Sequence, residues 1–263
     1  MKIKRLLFLF PILFILSCQN GLDINTSKHT ATDPIADITY LNGFFYTTNL
    51  DRSGNAGPQI DLYIFDSKSL HVDRYPFDLN GQGYLSAAND GSNIYFQPRF
   101  TDYIFKSTTL GEIFWYASDY FPDNMADTTS TFMYWRGRGI AWVDTNLVAL
   151  YRHKDDSTLY RWRFLNINGD SFQTIDDTTV VWNHLNDSGA FALEYDAIED
   201  AFLVLATDSS NNYILFQVTA SLEYENKIYA IEEEVMGVTL TAEPKIYLAY
   251  PDRRIEEFTR PAE

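Results

Sequence analysis

A glycine, an apolar strand, a short turn and a second apolar strand recur along this chain at intervals near 50 residues. The copies are residues 83–96 (GYLSAANDGSNIYF), 139–151 (GIAWVDTNLVALY), 189–205 (GAFALEYDAIEDAFLVL) and 237–250 (GVTLTAEPKIYLAY). A fifth, less regular copy begins at Ala36 (ADITYLNGFFYTTN), so the starts at 36, 83, 139, 189 and 237 lie 47, 56, 50 and 48 residues apart. A third strand carrying an aromatic follows each pair: 62–65 (LYIF), 103–105 (YIF), 159–162 (LYRW), 213–216 (YILF) and 255–258 (IEEF). In most units a fourth comes next, as at 112–116 (EIFWY) and 227–231 (KIYAI). One such unit cannot bury its own apolar faces, so it must stack against others like it.

The segments are rich in Tyr, Phe, Ile, Val and Thr, which suit a pleated surface, and Gly, Asn, Asp or Ser breaks them every eight to twelve residues. No stretch beyond the N-terminal leader has helical period; Glu232, Glu233 and Glu234 form the nearest thing, too short to nucleate a helix. Four short strands in 40 to 50 residues describe a β-propeller blade. From Gln19 to Glu263 there are 245 residues, five units of 49, but the last holds only 27, too few for four strands. The expectation is therefore an all-β chain of five four-stranded blades, the last completed by a strand near Leu22 to Thr30 or by the first strand near Ile38. Six blades, a β-sandwich or an irregular barrel are the alternatives. The phrase DLYIFDSKSL (61–70), with the Gly-led pairs, resembles the loosely repeated blades of bacterial periplasmic propellers. WD, kelch Gly-Gly and YWTD signatures are absent, so the likeness concerns fold rather than any one propeller family.

The N-terminus carries a different message. Lys2, Lys4 and Arg5 precede an 11-residue apolar run from Leu6 to Leu16, then Ser17 and Cys18. That order is the one found in export signals. The run is too short for a permanent membrane helix, which needs about 20 residues, and Pro11 interrupts it. Ile15-Leu16-Ser17-Cys18 resembles the lipobox of bacterial lipoproteins. The resemblance implies that residues 1–17 are a cleaved signal peptide and that Cys18 is lipidated on sulfur and acylated on its new amino group. Residues 18–34 (CQNGLDINTSKHTATDP) then form a polar tether, and 35–263 the propeller. Two or more acyl chains hold a protein firmly, each buried methylene contributing about 0.8 kcal/mol. Gln19 in place of an aspartate favours the outer membrane, giving an expected location in the bacterial cell envelope.

Removing the three leader cations would move the formal charge from -16 to -19, with 17 Lys plus Arg against 36 Asp plus Glu. Such a surface repels phosphate backbones and anionic headgroups, so a nucleic-acid partner is not expected and membrane contact falls to the lipid on Cys18. Cys18 is the sole cysteine, so the fold needs no disulfide; a body of this length can bury enough core without one.

Propellers bind through loops that converge at the ends of their axis. The longest unit has its excess at 119–138 (DYFPDNMADTTSTFMYWRGR), ending in Phe132, Tyr134, Trp135, Arg136 and Arg138. Aromatics stack on sugar faces and apolar groups, and arginine offers forked donors to carboxylates. These residues, with His153, are the candidate ligand or partner site; packing of Trp135 and Tyr134 on their own blade is the competing reading. His29, His71, His153 and His184 lack the spacing of a metal site, 51–57 (DRSGNAG) departs from a calcium loop at Ala56 and Leu62, and no cofactor motif occurs. There is no Gly-x-Ser-x-Gly elbow. Acid pairs such as Asp155-Asp156, Asp176-Asp177 and Glu199-Asp200 read as solvated turns. The sequence thus favours a membrane-anchored, noncatalytic module for a protein or glycan partner; the alternative is a propeller hydrolase or lyase acting on a sugar, phosphate ester or peptide with channel-mouth acids and His153 or His184.

Overall fold

The computed structural model describes residues 35–49, 60–66, 71–77, 85–98, 103–118, 135–178, 180–241, 243 and 245–259. The sequence-level expectations for the leader, Cys18 and the tether lie outside them, as do Phe132 and Tyr134.

Nineteen strands form five antiparallel meanders among the described residues. The first blade is β1 (Ile35–Leu41), β2 (Phe44–Asn49), β3 (Ile60–Asp66) and β4 (His71–Phe77). The second is β5 (Leu85–Asn89), β6 (Ile94–Pro98), β7 (Tyr103–Ser107) and β8 (Ile113–Ser118). The third is β9 (Trp135–Val143), β10 (Asn146–His153), β11 (Tyr160–Leu165) and β12 (Ser171–Asp177). The fourth is β13 (Leu185–Asp196), β14 (Ala201–Asp208), β15 (Tyr213–Thr219) and β16 (Tyr224–Ile231). The fifth has β17 (Gly237–Leu240), β18 (Ile246–Ala249) and β19 (Ile255–Phe258). The first strand of each blade packs beside the first strand of the next, and β17 packs beside β1, so the ring closes. The chain is a five-bladed β-propeller. A 3-10 helix, Val180–His184, is the one helical element among the described residues.

In blades three and four the inner strand begins ahead of the repeat's glycine. Gly139 does not open its strand, because β9 reaches back to Trp135, and Gly189 lies inside β13 rather than at its start. Ile38 belongs to β1 and pairs with Thr47 of β2, so it does not complete the fifth blade, which holds three strands among the described residues.

The core is not one mass but five, one between each pair of neighbouring blades. Leu62 and Ile64 of β3 face the second blade, while Tyr63 and Phe65 of the same strand face the fifth. The joint between blades three and four holds Trp162, Trp182, Phe202 and Phe216, with the Tyr160 and Trp182 rings stacked 4.0 Å apart. Because both faces of inner strands are buried, runs such as AFLVLA in β14 are apolar throughout instead of alternating. Outer strands alternate with solvent: all of β12 except Ile175 and Asp177 is exposed. Each fully buried large apolar side chain contributes about 1.5–3 kcal/mol, so five such joints can hold the ring without a disulfide.

Two glycines set how closely the inner strands meet. A Cβ on Gly237 would clash with Asp37 Oδ1 and sit 2.6 Å from Asp37 Cα and 2.8 Å from Ile38 N. One on Gly139 would lie 2.5 Å from Leu193 Cβ and 2.9 Å from Leu193 N. Since most of the obstructing atoms are backbone, neither neighbour can swing aside. Gly237→Ala and Gly139→Ala should each lower stability by about 2–4 kcal/mol, measured by urea unfolding. Asn42→Ala, in an exposed turn at φ 52°, should cost only about 1–2 kcal/mol.

Candidate functional site

The meander topology gives the propeller two chemically distinct ends. First-to-second and third-to-fourth strand turns gather at one, the turn end. At the other, the crossover end, second-to-third strand connections meet the points where each blade hands the chain to the next.

At the joints between blades, inner strands pack edge to edge without a continuous ladder, so their backbone N–H groups require other partners. Side chains supply them. Asp37 is buried and accepts four bonds: from Ser86 Oγ at 2.7 Å, Ala87 N at 3.1 Å, Val238 N at 3.2 Å and its own neighbour Ile38 N at 2.9 Å. One carboxyl group thereby fastens the first blade to the second and the fifth. Ser86 Oγ in turn accepts from Ile140 N at 3.2 Å, and Gln97 Oε1 accepts from Gly139 N at 3.2 Å, which joins blades two and three. Tyr160 OH accepts from Ala190 N at 3.1 Å between three and four. Thr239 Oγ1 donates to Glu194 Oε2 at 2.9 Å between four and five and accepts from Tyr40 N at 3.1 Å between five and one.

Burial pushes Asp37 up to about 8, against the opposing pull of its donors from Ser86, Ala87 and Ile38. Among the described residues it makes no ion pair. Glu194, raised to about 7 by burial against bonds from Thr239 and the Tyr195 and Leu240 backbones, is densely enclosed yet keeps a partly exposed surface. Asp37 is the more fully desolvated of the two acids. Neither was among the sequence candidates, and the only signal was an acid set inside an otherwise apolar strand (IADITYL, FALEYD).

The third blade is the cationic part of the molecule. Arg136, Arg138, Arg152, Lys154, Arg161 and Arg163 are six of the 17 Lys and Arg that follow Cys18. Trp135, Arg136 and Arg138 stand on β9 rather than in an inserted loop, because that strand begins before the glycine. Trp135 lies opposite His153 of β10, their rings 5.2 Å apart and edge-on. The Arg161 guanidinium covers the Trp135 ring at 4.0 Å while gripping Asp176 through Nε at 2.5 Å and Nη2 at 3.0 Å. Trp135 is buried against side chains of its own blade. Asp176 and Asp177 are strand residues, not a solvated turn; Asp177 is buried and accepts from Trp162 Nε1 at 2.9 Å.

Arg136 is opposite Arg152 in the ladder and keeps partial exposure, as does His153. Arg138 occupies the bulge between the Leu150 and Tyr151 pairings and is buried. Burial raises the Tyr160 hydroxyl, while the charges of Arg138 and Arg152 and a hydrogen bond from Arg152 act against that rise. Gly189, at φ 64°, closes the cluster: a side chain there would run into Tyr160 OH and lie 2.8 Å from Arg152 Nη1. Nearby, Gln97 Nε2 is buried without a hydrogen-bond partner, while the other end of its amide holds Gly139 N. Arg136, Arg138 and Arg152 thus occupy neighbouring positions of β9 and β10 at the crossover end, a concentration of guanidinium groups whose chemistry suits an anion. His184 ends the 3-10 helix at the same end, exposed. Among the described residues no group of three or more His, Cys, Asp or Glu is placed to hold a metal ion.

No family model matches the chain, and no curated protein matches it either. Among solved structures it is similar to the glutaminyl cyclase of Myxococcus xanthus, with a TM-score of 0.55 at 11% identity, covering 88% of this chain and 91% of that one. A chain of a mitotic checkpoint complex matches with a TM-score of 0.44 at 12% identity, covering 86% and 63% respectively. Identities this low establish the fold alone.

Asp37→Ala should cost roughly 3–5 kcal/mol in urea unfolding, because Ala87 N, Val238 N and Ile38 N would lose their buried acceptor. The pH dependence has a defined sign. The Asp37 value lies above the ordinary 3.8, so its stabilisation is complete below that value and is lost as pH rises through about 8. The difference in unfolding midpoint between the natural chain and Asp37→Asn should therefore shrink from about pH 4 to about pH 8; a constant difference would contradict the assignment.

Proposed function

We propose that this chain is a lipid-anchored, noncatalytic binding propeller of the bacterial cell envelope whose third blade recognises a carboxylate-bearing group on a glycan or protein. The observation that carries the reading is the gathering of Arg136, Arg138 and Arg152 on neighbouring positions of β9 and β10 at the crossover end, with Arg136 part-exposed. Guanidinium groups present forked donors that match a carboxylate, and a concentration of them in an acidic chain marks a place where the general repulsion of anions is reversed. His153, with its Nδ1 accepting from Asp155 N at 3.3 Å, borders the same surface. The anchoring half of the reading rests on the lipobox-like ILSC ending at Cys18, with outer-membrane placement following from Gln19.

A hydrolase or lyase is the less supported reading. It would use an acid converging with His153 or His184, whereas Asp37 and Glu194 of the inner strands are each held by hydrogen bonds that fasten the blades. The Myxococcus xanthus protein is a cyclase by name, but a likeness in fold at 11% identity brings no activity to this chain.

Two measurements test the proposal. Oligogalacturonate and oligoglutamate represent the acidic glycan and acidic peptide arms, with galacto-oligosaccharide and oligoglutamine as uncharged counterparts. One acidic probe should bind in calorimetry, and Arg136→Ala should weaken it about ten-fold, with affinity falling as salt rises. Absence of binding by both acidic probes would remove the proposed site. Separately, Cys18→Ser should lose acyl labelling and stay at precursor length; normal processing would remove the anchor.

A further inference from the structure

The turn end carries a surface of the opposite character. Of the seven exposed large apolar side chains among the described residues, six stand there: Phe44, Val72, Leu110, Ile167, Phe172 and Ile198. Leu110 and Ile167 occupy third-to-fourth strand turns of blades two and three, and Ile198 the first turn of blade four. Phe44 begins β2, and Val72 and Phe172 are the second residues of β4 and β12. Only Ile228, midway along β16, lies elsewhere. Single exposed apolar residues are ordinary, but their collection at one end of four blades is not. Three of them, Leu110 at 60%, Ile167 at 59% and Ile198 at 68% exposed, project from turns, where Gly, Asn and Asp meet the conformational need and no apolar residue is required.

The charge at this end decides what can cover it. Among the described turn residues of this end eight acids, including Asp144, Asp170, Glu199 and Glu223, stand with Lys245 as the single base, and Lys245 Nζ is already bonded to Glu257 at 3.0 Å. Anionic headgroups would be repelled. A second copy meeting this end with its own would bring acids against acids. What complements apolar side chains set among carboxylates is a protein surface in which apolar residues alternate with lysine or arginine. We infer that the turn end is a docking surface for a cationic, apolar protein segment, separate from the anion site at the crossover end.

The probe is a synthetic peptide of alternating lysine and leucine, with a lysine and serine peptide of equal charge as control, titrated into the full chain with fluorescence anisotropy. The lysine and leucine peptide should bind more tightly, and raising salt from about 0.05 to about 0.5 M should weaken it. Combined Leu110→Ser, Ile167→Ser and Ile198→Ser should reduce affinity at least about ten-fold, while Ile228→Ser leaves it unchanged. Near-ultraviolet circular dichroism of the triple variant should match the natural chain, since the three side chains are exposed. Equal binding of both peptides, indifference to the triple substitution, or an equal loss on Ile228→Ser would overturn the inference. So would binding to phosphatidylcholine vesicles that the triple variant loses, which would make the end a membrane face.

Discussion

The ring depends on a problem of unpaired backbone. A sheet satisfies its own N–H groups, but at the inner rim of a propeller five strands meet edge to edge at angles that permit no ladder, and water does not reach the donors. Each joint answers this with a side chain carrying an acceptor: the Asp37 carboxylate, Ser86 and Gln97, Tyr160, Glu194 and Thr239. Asp37 is the costliest of these solutions, a desolvated acid, and also the most economical, since three of its four donors belong to other blades. The apolar joints supply most of the stabilisation, and the rim contacts fix how the blades register. Buried polar groups that are fully satisfied serve that specifying role.

Against this frame the charge distribution becomes directional. A chain with 36 acids and 20 cations would be expected to repel anions everywhere. Instead six of the 17 cations that follow Cys18 stand in the third blade, while the described turns of the turn end are acidic and set among exposed apolar side chains. The two proposed surfaces thereby differ in the charge of the partner each would accept.

How much of this was legible in the sequence follows from what each feature requires locally. The fold was legible because every blade needs the same short strands and breaks, so the period survives even where residues differ. Third strands, including LYIF at 62–65 and YILF at 213–216, fall inside β3 and β15. The Asp, Asn and Ser breaks between strands were legible because their structure is local, as where Asp208 Oδ1 accepts from Ser210 N and Asn212 N. The placement of Trp135 and Arg138 was not, because Gly139 has the look of a strand start; its role is close approach to Leu193, 54 residues away. Asp37 was illegible for the same reason: its partners are 49 and 201 residues distant, and in a sequence rich in acids nothing distinguishes one that fastens three blades.

The rim chemistry also bears on how such a chain can diverge. All five joints solve one geometric problem, yet each uses a different donor and acceptor pair, and each pair is split across neighbouring blades. Blades that are equivalent in shape are consequently not interchangeable in sequence. Cutting the ring at another connection would preserve every neighbour relation, whereas exchanging the second blade with the fourth would bring Asp37 against β13, which has no counterpart to Ser86. The order of the blades is written at the rim, even though their outlines repeat.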